Sequence, residues 1–303
     1  MSGTTNNEEG NACSKEDEQH ITCTDDMKNL HITCTEEDDV CACCGKEGSN
    51  GLKACTACKM VKYCNRDCQI AHRPKHKKAC RKRAAELHDI ELFKQPPSPE
   101  DCPICMLPLP SLDMGSKYQT CCGKDICSGC IHAVRLRDNG VGLCPFCRTP
   151  TPNEEEALNQ TKKRVEVGDA NAMFNLGSCY FAGSHGLPRN YEKALELWHQ
   201  AGELGNAKAY NNIGHAYHTG EGVERDDKKA THYLELAAMQ GSVYSRQDLG
   251  SFEFHAGNWD RALKHWMIST GDGDDDSIKS NQVLYIGGGI IKITQKLYEH
   301  TKS

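Results

Sequence analysis

The sequence predicts a multi-domain chain: two small metal-stabilised α+β fingers followed by an all-α repeat solenoid. Three observations carry this expectation. Nineteen of the 20 cysteines precede residue 148, leaving Cys179 alone in the second half. They gather in two clusters, 41–80 and 102–147, separated by a break at Pro96, Pro97 and Pro99. Beyond residue 157 a pattern of small and apolar residues recurs every 36–37 residues, a period that signals stacked helical pairs.

Cysteine density implies either disulfides or metal. The start, MSGTTNNEEGNACSKEDEQ, has no basic cluster and no apolar run, so no signal peptide is expected. Nothing later approaches the roughly 18 apolar residues of a membrane span, and no membrane partner is expected. The thiols are therefore expected to stay reduced, in cytoplasm or nucleus, where Cys-x-x-Cys spacing favours zinc.

Residues 1–40 read as a disordered acidic tail. They carry 2 basic and 11 acidic side chains, with too little apolar area to fold alone. The stretch His20-Ile-Thr-Cys23-Thr returns as His31-Ile-Thr-Cys34-Thr without a second half-site, which reads as chance duplication. Residues 41–94 carry 13 basic and 5 acidic side chains, so a basic finger follows an acidic tail.

The first cluster offers Cys41, Cys44, Cys55, Cys58, Cys64, Cys68, His76 and Cys80. Pairs two or three residues apart chelate zinc without strain, and about 40 residues need the metal's free energy to fold. The run Tyr63-Cys64-Asn-Arg-Asp-Cys68-Gln69, with His72, His76, Lys77, Lys78 and Cys80, resembles the MYND finger over 41–80. That resemblance implies interleaved sites: Cys41, Cys44, Cys64 and Cys68 around one zinc, and Cys55, Cys58, His76 and Cys80 around the other. Cys43 is then spare and His72 a non-ligand. The family's peptide-binding Gln matches Gln69, whereas its Trp position holds Arg73, which implies a more acidic partner than a proline-rich motif. The basic run Arg73–Arg83 overlaps the ligand helix, so nucleic acid is not the expected partner. Residues 81–94 read as a helix with Leu87, Ile90 and Leu92/Phe93 on one side, and 81–101 as helix plus proline-rich linker.

The second cluster offers Cys102, Cys105, Cys121, Cys122, Cys127, Cys130, Cys144 and Cys147. Four pairs with these gaps resemble a cross-braced RING finger over 102–148. The resemblance implies Cys102, Cys105, Cys127 and Cys130 at one zinc, and Cys121, Cys122, Cys144 and Cys147 at the other. The usual histidine slot holds Lys124, whose ammonium has no lone pair for zinc; Cys121 and Cys122 are then both ligands, with His132 a poorer candidate. By the same resemblance Ile104 and Pro145 would dock a ubiquitin-conjugating enzyme, and Arg148 would brace ubiquitin.

After a linker and first helix (149–168), residues 169–275 carry the repeats. Leu176-Gly177-x-x-Tyr180 returns as Ile213-Gly214-x-x-Tyr217 and as Leu249-Gly250 with Phe254. Lys193-Ala194 returns as Lys229-Ala230 and Arg261-Ala262, while Trp198, Leu234 and Trp266 are the large residues set against small ones. The third copy has a shorter inter-helix loop, near 257–260. The pattern resembles Sel-one-like repeats, relatives of the tetratricopeptide class, which implies a superhelix with a concave binding face. Cys179, His185, His199, His215 and His218 read as face, loop or core residues. In the tail, 276–303, a Gly287–Gly289 run interrupts an expected capping helix. The order of the three modules, with the run Cys-Cys-Gly-Lys-x-Ile-Cys-Ser-Gly-Cys, resembles an expanded family of diatom and algal proteins across about 41–270, and that adds architecture rather than activity.

The leading expectation is a zinc-dependent RING-type ubiquitin ligase with about four Zn2+, its MYND finger and repeats selecting protein substrates or peptides. The alternative is a non-catalytic scaffold. No stretch resembles the catalytic domain of MYND-bearing lysine methyltransferases.

Overall fold

The computed structural model describes residues 40–48, 51–110, 115–138, 142–270, 284–286 and 289–291. The acidic tail with Cys13, Cys23 and Cys34, and most of the segment 276–303, lie outside them. The chain divides into two compact units, Met1–Lys77 and Lys78–Ser303, and the division falls inside one helix.

The first finger contains a two-residue antiparallel ladder, β1 (Lys53–Ala54) with β2 (Lys62–Tyr63), and then α1 (Arg66–Leu92). Strands this short have no independent stability. Its buried residues are Cys41, Cys55, Cys58, Tyr63 and His76, so the interior consists mainly of candidate ligands. Asn65 starts α1 by accepting the Cys68 N–H at 2.8 Å. The helix passes through Pro74, which lacks an N–H for Ile70, and runs on to Leu92. One helix thus replaces the separate one expected at 81–94. Leu92 is fully buried, but Ile90 is 48% exposed. The side that makes contacts is instead His88 with Glu235, Asp89 with Arg261 and Phe93 with His265, beside buried Leu92, the i, i+1, i+4, i+5 pattern of one helical side.

The second finger pairs β3 (Ser116–Gln119) with β4 (Lys124–Cys127), Ser116 opposite Cys127 and Gln119 opposite Lys124. The helix α2 (Ser128–Arg137) follows directly. Ile126, Cys102 and Cys144 are its buried centre, with Leu109 and Ile131 packed around them.

The solenoid comprises α3 (Glu154–Glu166), α4 (Ala170–Ala182), α5 (Tyr191–Glu203), α6 (Ala207–Thr219), α7 (Asp227–Met239), α8 (Val243–His255) and α9 (Trp259–Thr270). Asn153, Asp169, Asn190, Asn206, Asp226 and Ser242 each accept a first-turn N–H, so side chains cap every helix from α3 to α8. Within each of the three helix pairs a glycine meets a large side chain. A Cβ on Gly177 would lie 2.7 Å from Trp198, and one on Gly214 would lie 2.8 Å from Leu234. Gly250 faces Trp266 in the same way. The third inter-helix loop spans only 256–258, against 183–190 and 220–226.

Where the sequence suggests a broken capping helix, β5 (Leu284–Ile286) pairs antiparallel with β6 (Gly289–Ile291). Branched Ile286, Ile290 and Ile291 suit strands better than helix.

Gly177→Val should cost about 1–3 kcal/mol by overpacking against Trp198, read as a lower thermal midpoint with the zinc content unchanged.

Candidate metal centres

Among the described residues, sixteen side chains gather into four groups of four, each with its ligand atoms within 4.8 Å of one another. They are Cys41, Cys44, Cys64 and Cys68; then Cys55, Cys58, His76 and Cys80. The second finger contributes Cys102, Cys105, Cys127 and Cys130, then Cys121, Cys122, Cys144 and Cys147. Both fingers therefore interleave first pair with third and second with fourth. Zinc–sulfur bonds of about 2.3 Å in a tetrahedron set sulfurs about 3.8 Å apart. The sulfurs lie 3.7 Å apart for Cys44 and Cys64, 3.8 Å for Cys105 and Cys127, and 3.9 Å for Cys122 and Cys144. His76 points its Nε2 at the Cys58 sulfur, 3.2 Å away. The donor set and spacing are compatible with four zinc sites.

One backbone device recurs in four of the five Cys-x-x-Cys pairs, the exception being Cys127 and Cys130 at the start of α2. The residue after the second cysteine takes left-handed φ: 69° at Gly45, 56° at Lys59, 56° at Met106 and 62° at Arg148. Its N–H returns to the carbonyl of the first cysteine at 2.9–3.0 Å. The turn aims intervening N–H groups at sulfur. The backbone N–H groups of Cys44 and Cys64 lower the Cys41 thiol to about 6. Burial works against Cys102, yet the N–H groups of Cys105, Cys127 and Ile104 outweigh it and bring that thiol to about 6. Neighbours in the same clusters move the other way. Hydrogen bonding with Cys64 raises Cys68, and burial raises Cys121. Four clustered thiolates repel one another, and a dication removes that conflict.

The other candidate cysteines and histidines among the described residues have other surroundings. Cys43 is exposed and outside the clusters. The Tyr63 hydroxyl lies 3.1 Å from His72 Nδ1, and the His72 ring stacks on His76 at 5.6 Å; a non-ligand thereby packs against a candidate ligand. Lys124 and His132 are exposed and outside the fourth group. Cys179 lies 3.5 Å from His185, His199 packs on Tyr233, and His215 and His218 meet Asp248 and Asp227.

Sequence reasoning missed how the fourth group is braced. Arg164 of α3 donates from Nε to the Thr120 carbonyl at 2.9 Å and from Nη2 to the Cys121 carbonyl at 3.2 Å. Its Nη1 lies 3.7 Å from Asp169, which also accepts the Tyr118 hydroxyl at 2.7 Å. Thr120 donates to Gln160, and Asn171 to Asp125. Gly123 has φ 66°, and a Cβ there would strike the Arg164 guanidinium. The second finger is thus bonded to α3 and α4 rather than strung from them.

Ile104 is 39% exposed and Phe146 46% exposed on the two outer turns of this finger, with Met106 and Leu107 also exposed. Pro145 is half-buried, and Arg148 pairs with Asp138 at 2.9 Å. Gln69 and Arg73 are both exposed on α1.

Residues 41–80 match the MYND finger family. Residues 170–206 and 207–242 match the Sel1 repeat. The chain therefore carries a MYND finger and Sel1 repeats, modules that mediate protein–protein interaction. It is 35% identical over 69 residues to the E3 ubiquitin-protein ligase GW2 of Oryza sativa, in subspecies indica and japonica alike. That match covers 22% of this chain, which spans only 15% of the relative's length. Among solved structures it resembles a Sel1 repeat protein from Oxalobacter formigenes, with 22% identity, TM-score 0.39, 51% of this chain and 65% of that one. It also resembles a protective antigen of uropathogenic Escherichia coli with an SLR fold, with 25% identity, TM-score 0.37, 43% of this chain and 28% of that one. No helix among the described residues is long and apolar enough to cross a membrane.

Metal analysis should return four zinc ions per chain, and Cys122→Ser should lower that count toward three. Acidification should release zinc as thiolates protonate, read with a zinc-sensitive dye. Lys59→Gly should remove a left-handed cost of about 1 kcal/mol, raising the thermal midpoint of the zinc-loaded chain.

Proposed function

We propose that the chain is a RING-type ubiquitin ligase in which residues 102–148 recruit a charged conjugating enzyme and the MYND finger and repeats select the protein substrate. The observation that carries this reading is the second finger's outer surface. Two equivalent metal-binding turns present Ile104 and Phe146 to solvent, and the residue closing the second turn is Arg148. Burying exposed apolar side chains of this kind favours docking of a partner. The name of the rice relative points the same way.

Such an enzyme contributes no nucleophile. The conjugating enzyme's thioester is the reactive bond, and the finger restricts its motion so that a substrate lysine meets the carbonyl in a productive geometry. Arg148 suits this role because a guanidinium presents fixed donors to carbonyl oxygens. Its left-handed backbone and the Asp138 carboxylate limit where the side chain reaches. Ile104 and Pro145 supply the dock. The sixteen clustered residues supply zinc ligands rather than chemistry, and reduced thiols fit cytoplasm or nucleus.

The second reading, a non-catalytic scaffold, draws on the MYND and Sel1 matches alone. On either reading Gln69 and Arg73, exposed on α1, form the finger's contact for an acidic peptide.

Autoubiquitination reconstituted with a panel of conjugating enzymes separates the two. On the ligase reading Ile104→Ala and Arg148→Ala each cut the rate about tenfold or more with zinc content intact. Activity surviving both substitutions rejects the mechanism, and inactivity with every conjugating enzyme favours the scaffold. Gln69→Ala with Arg73→Glu should reduce capture of acidic peptides by the finger; unchanged capture removes that contact.

A further inference from the structure

The third repeat already holds a ligand, and the chain supplies it. The last turns of α1 place Asp89 and Phe93 against α9. The Phe93 ring lies 4.7 Å from the His265 ring, and the Arg261 and Lys264 cations lie 5.2 and 5.4 Å from its centre. Arg261 also pairs with Asp89 and with Glu253. An aromatic side chain and a carboxylate one helical turn before it are thus read by two cations and one flat ring.

The same positions exist in the other repeats. Alignment through Lys193-Ala194, Lys229-Ala230 and Arg261-Ala262 puts Lys193, Glu196 and Leu197 where α9 has Arg261, Lys264 and His265. In α7 they are Lys229, His232 and Tyr233. His265 is 0% exposed beneath α1, whereas Leu197 and Tyr233 are only half-buried.

The two uncovered repeats then differ in what fills the space. In the second, Tyr233 stacks on Tyr217 with centres 5.7 Å apart and planes 5° apart, and Lys229 lies 5.0 Å over Tyr217. The repeat closes its own groove. In the first, Leu197 offers no ring to stack on Tyr180. An open groove of about 250 Å³ remains, lined by Leu176, Tyr180, Lys193, Glu196, Leu197 and Gln200. That is below the ~300–1,000 Å³ of small-molecule sites, and it suits one aromatic side chain. Lys193 stands 5.5 Å over the Tyr180 ring at its edge, able to meet a carboxylate as Arg261 meets Asp89.

We propose that the groove between α4 and α5 docks a helical segment of a partner protein carrying an aromatic residue one turn after an acidic one. The ring enters over Leu176 and Leu197 beside Tyr180, and the carboxylate pairs with Lys193. Glu196, standing where the third repeat has Lys264, adds a preference for a basic residue next to the ring. The proposal rests on the repeats being a substrate-selecting module. Its test contains no ubiquitin, so failure here and failure of the transfer reaction are read separately.

The probe is a fluorescein-labelled peptide of residues 84–95, AAELHDIELFKQ, titrated with the full zinc-loaded chain and followed by anisotropy. Tethered α1 keeps the third repeat filled, because its effective concentration exceeds that of the peptide. Saturable binding is expected, weakened about tenfold or more by Lys193→Glu in the chain and by Phe93→Ala in the peptide. Lys229→Glu should leave it unchanged. Leu197→Trp, which fills the groove without adding charge, should abolish binding while the circular dichroism stays native. Absence of binding to the folded chain overturns the proposal, as does equal binding by the Lys193→Glu and Leu197→Trp variants.

Discussion

Tetrahedral coordination is the constraint on which the N-terminal half depends. The first finger's buried residues are candidate ligands plus Tyr63, and the second centres on Ile126 between Cys102 and Cys144. Neither interior contains enough apolar area to offset chain entropy. A metal changes that balance because binding free energy becomes folding free energy. The four left-handed turns follow from the same requirement. Two thiolates on one metal need the chain to turn back within four residues; Cys127 and Cys130 meet this at the start of α2, whereas the other four Cys-x-x-Cys pairs place the next residue at positive φ. Gly45 accepts this readily, while Lys59, Met106 and Arg148 accept it at a cost that the metal offsets.

The repeats rely on a different device, a glycine on one helix opposite a large side chain on the next. Gly177 with Trp198, Gly214 with Leu234 and Gly250 with Trp266 set the helix separation three times over. Each indole also donates to a backbone carbonyl: Trp198 to Phe174 and Trp266 to Gln247. The third repeat departs from the others by enclosing polar groups. Arg246 is buried with its Nη1 3.4 Å from His265 Nδ1. A guanidinium only donates, so the imidazole accepts and is neutral there. Burial, with the charges of Arg246 and Arg261, lowers that imidazole to about 3. Phe93, just past the end of α1, lays its ring 4.7 Å from that of His265, and the last repeat gains an apolar lid from outside the repeat array.

Much of this was legible in the sequence, for identifiable reasons. Ligand chemistry is local: a cysteine two residues from another has few alternatives, and the groupings read from motif resemblance coincide with the clustered atoms. Even the doubtful pair, Cys121 with Cys122 in place of a histidine at Lys124, follows from which side chain has a lone pair. The glycine positions announced the helix contacts because repetition exposed them. The end of α1 was misread because its apolar residues do not share one face; Ile90 faces solvent, and the contacting side chains include His88 and Asp89, which no hydrophobic pattern marks. The Arg164 brace was equally silent. Its partners are backbone carbonyls, and a carbonyl has no residue signature.

That brace has a consequence for how the second finger and the repeats act together. Asp169 caps α4 through the Ala172 N–H, accepts the Tyr118 hydroxyl and faces Arg164. Arg164 in turn holds the carbonyls of Thr120 and Cys121, the second belonging to a candidate zinc ligand. Burial raises Tyr118 and keeps it a donor, so the hydroxyl does not compete with the carboxylate for charge. Most members of this network are bonded on two sides, and removing one leaves a partly buried polar group without its partner, at about 1–3 kcal/mol. The connection between finger and solenoid is therefore specified by geometry rather than by linker length. On the ligase reading, a partner seated in the first repeat, built from α4 and α5, lies on the element the finger grips, and orientation replaces diffusion as the means of bringing a lysine to the thioester.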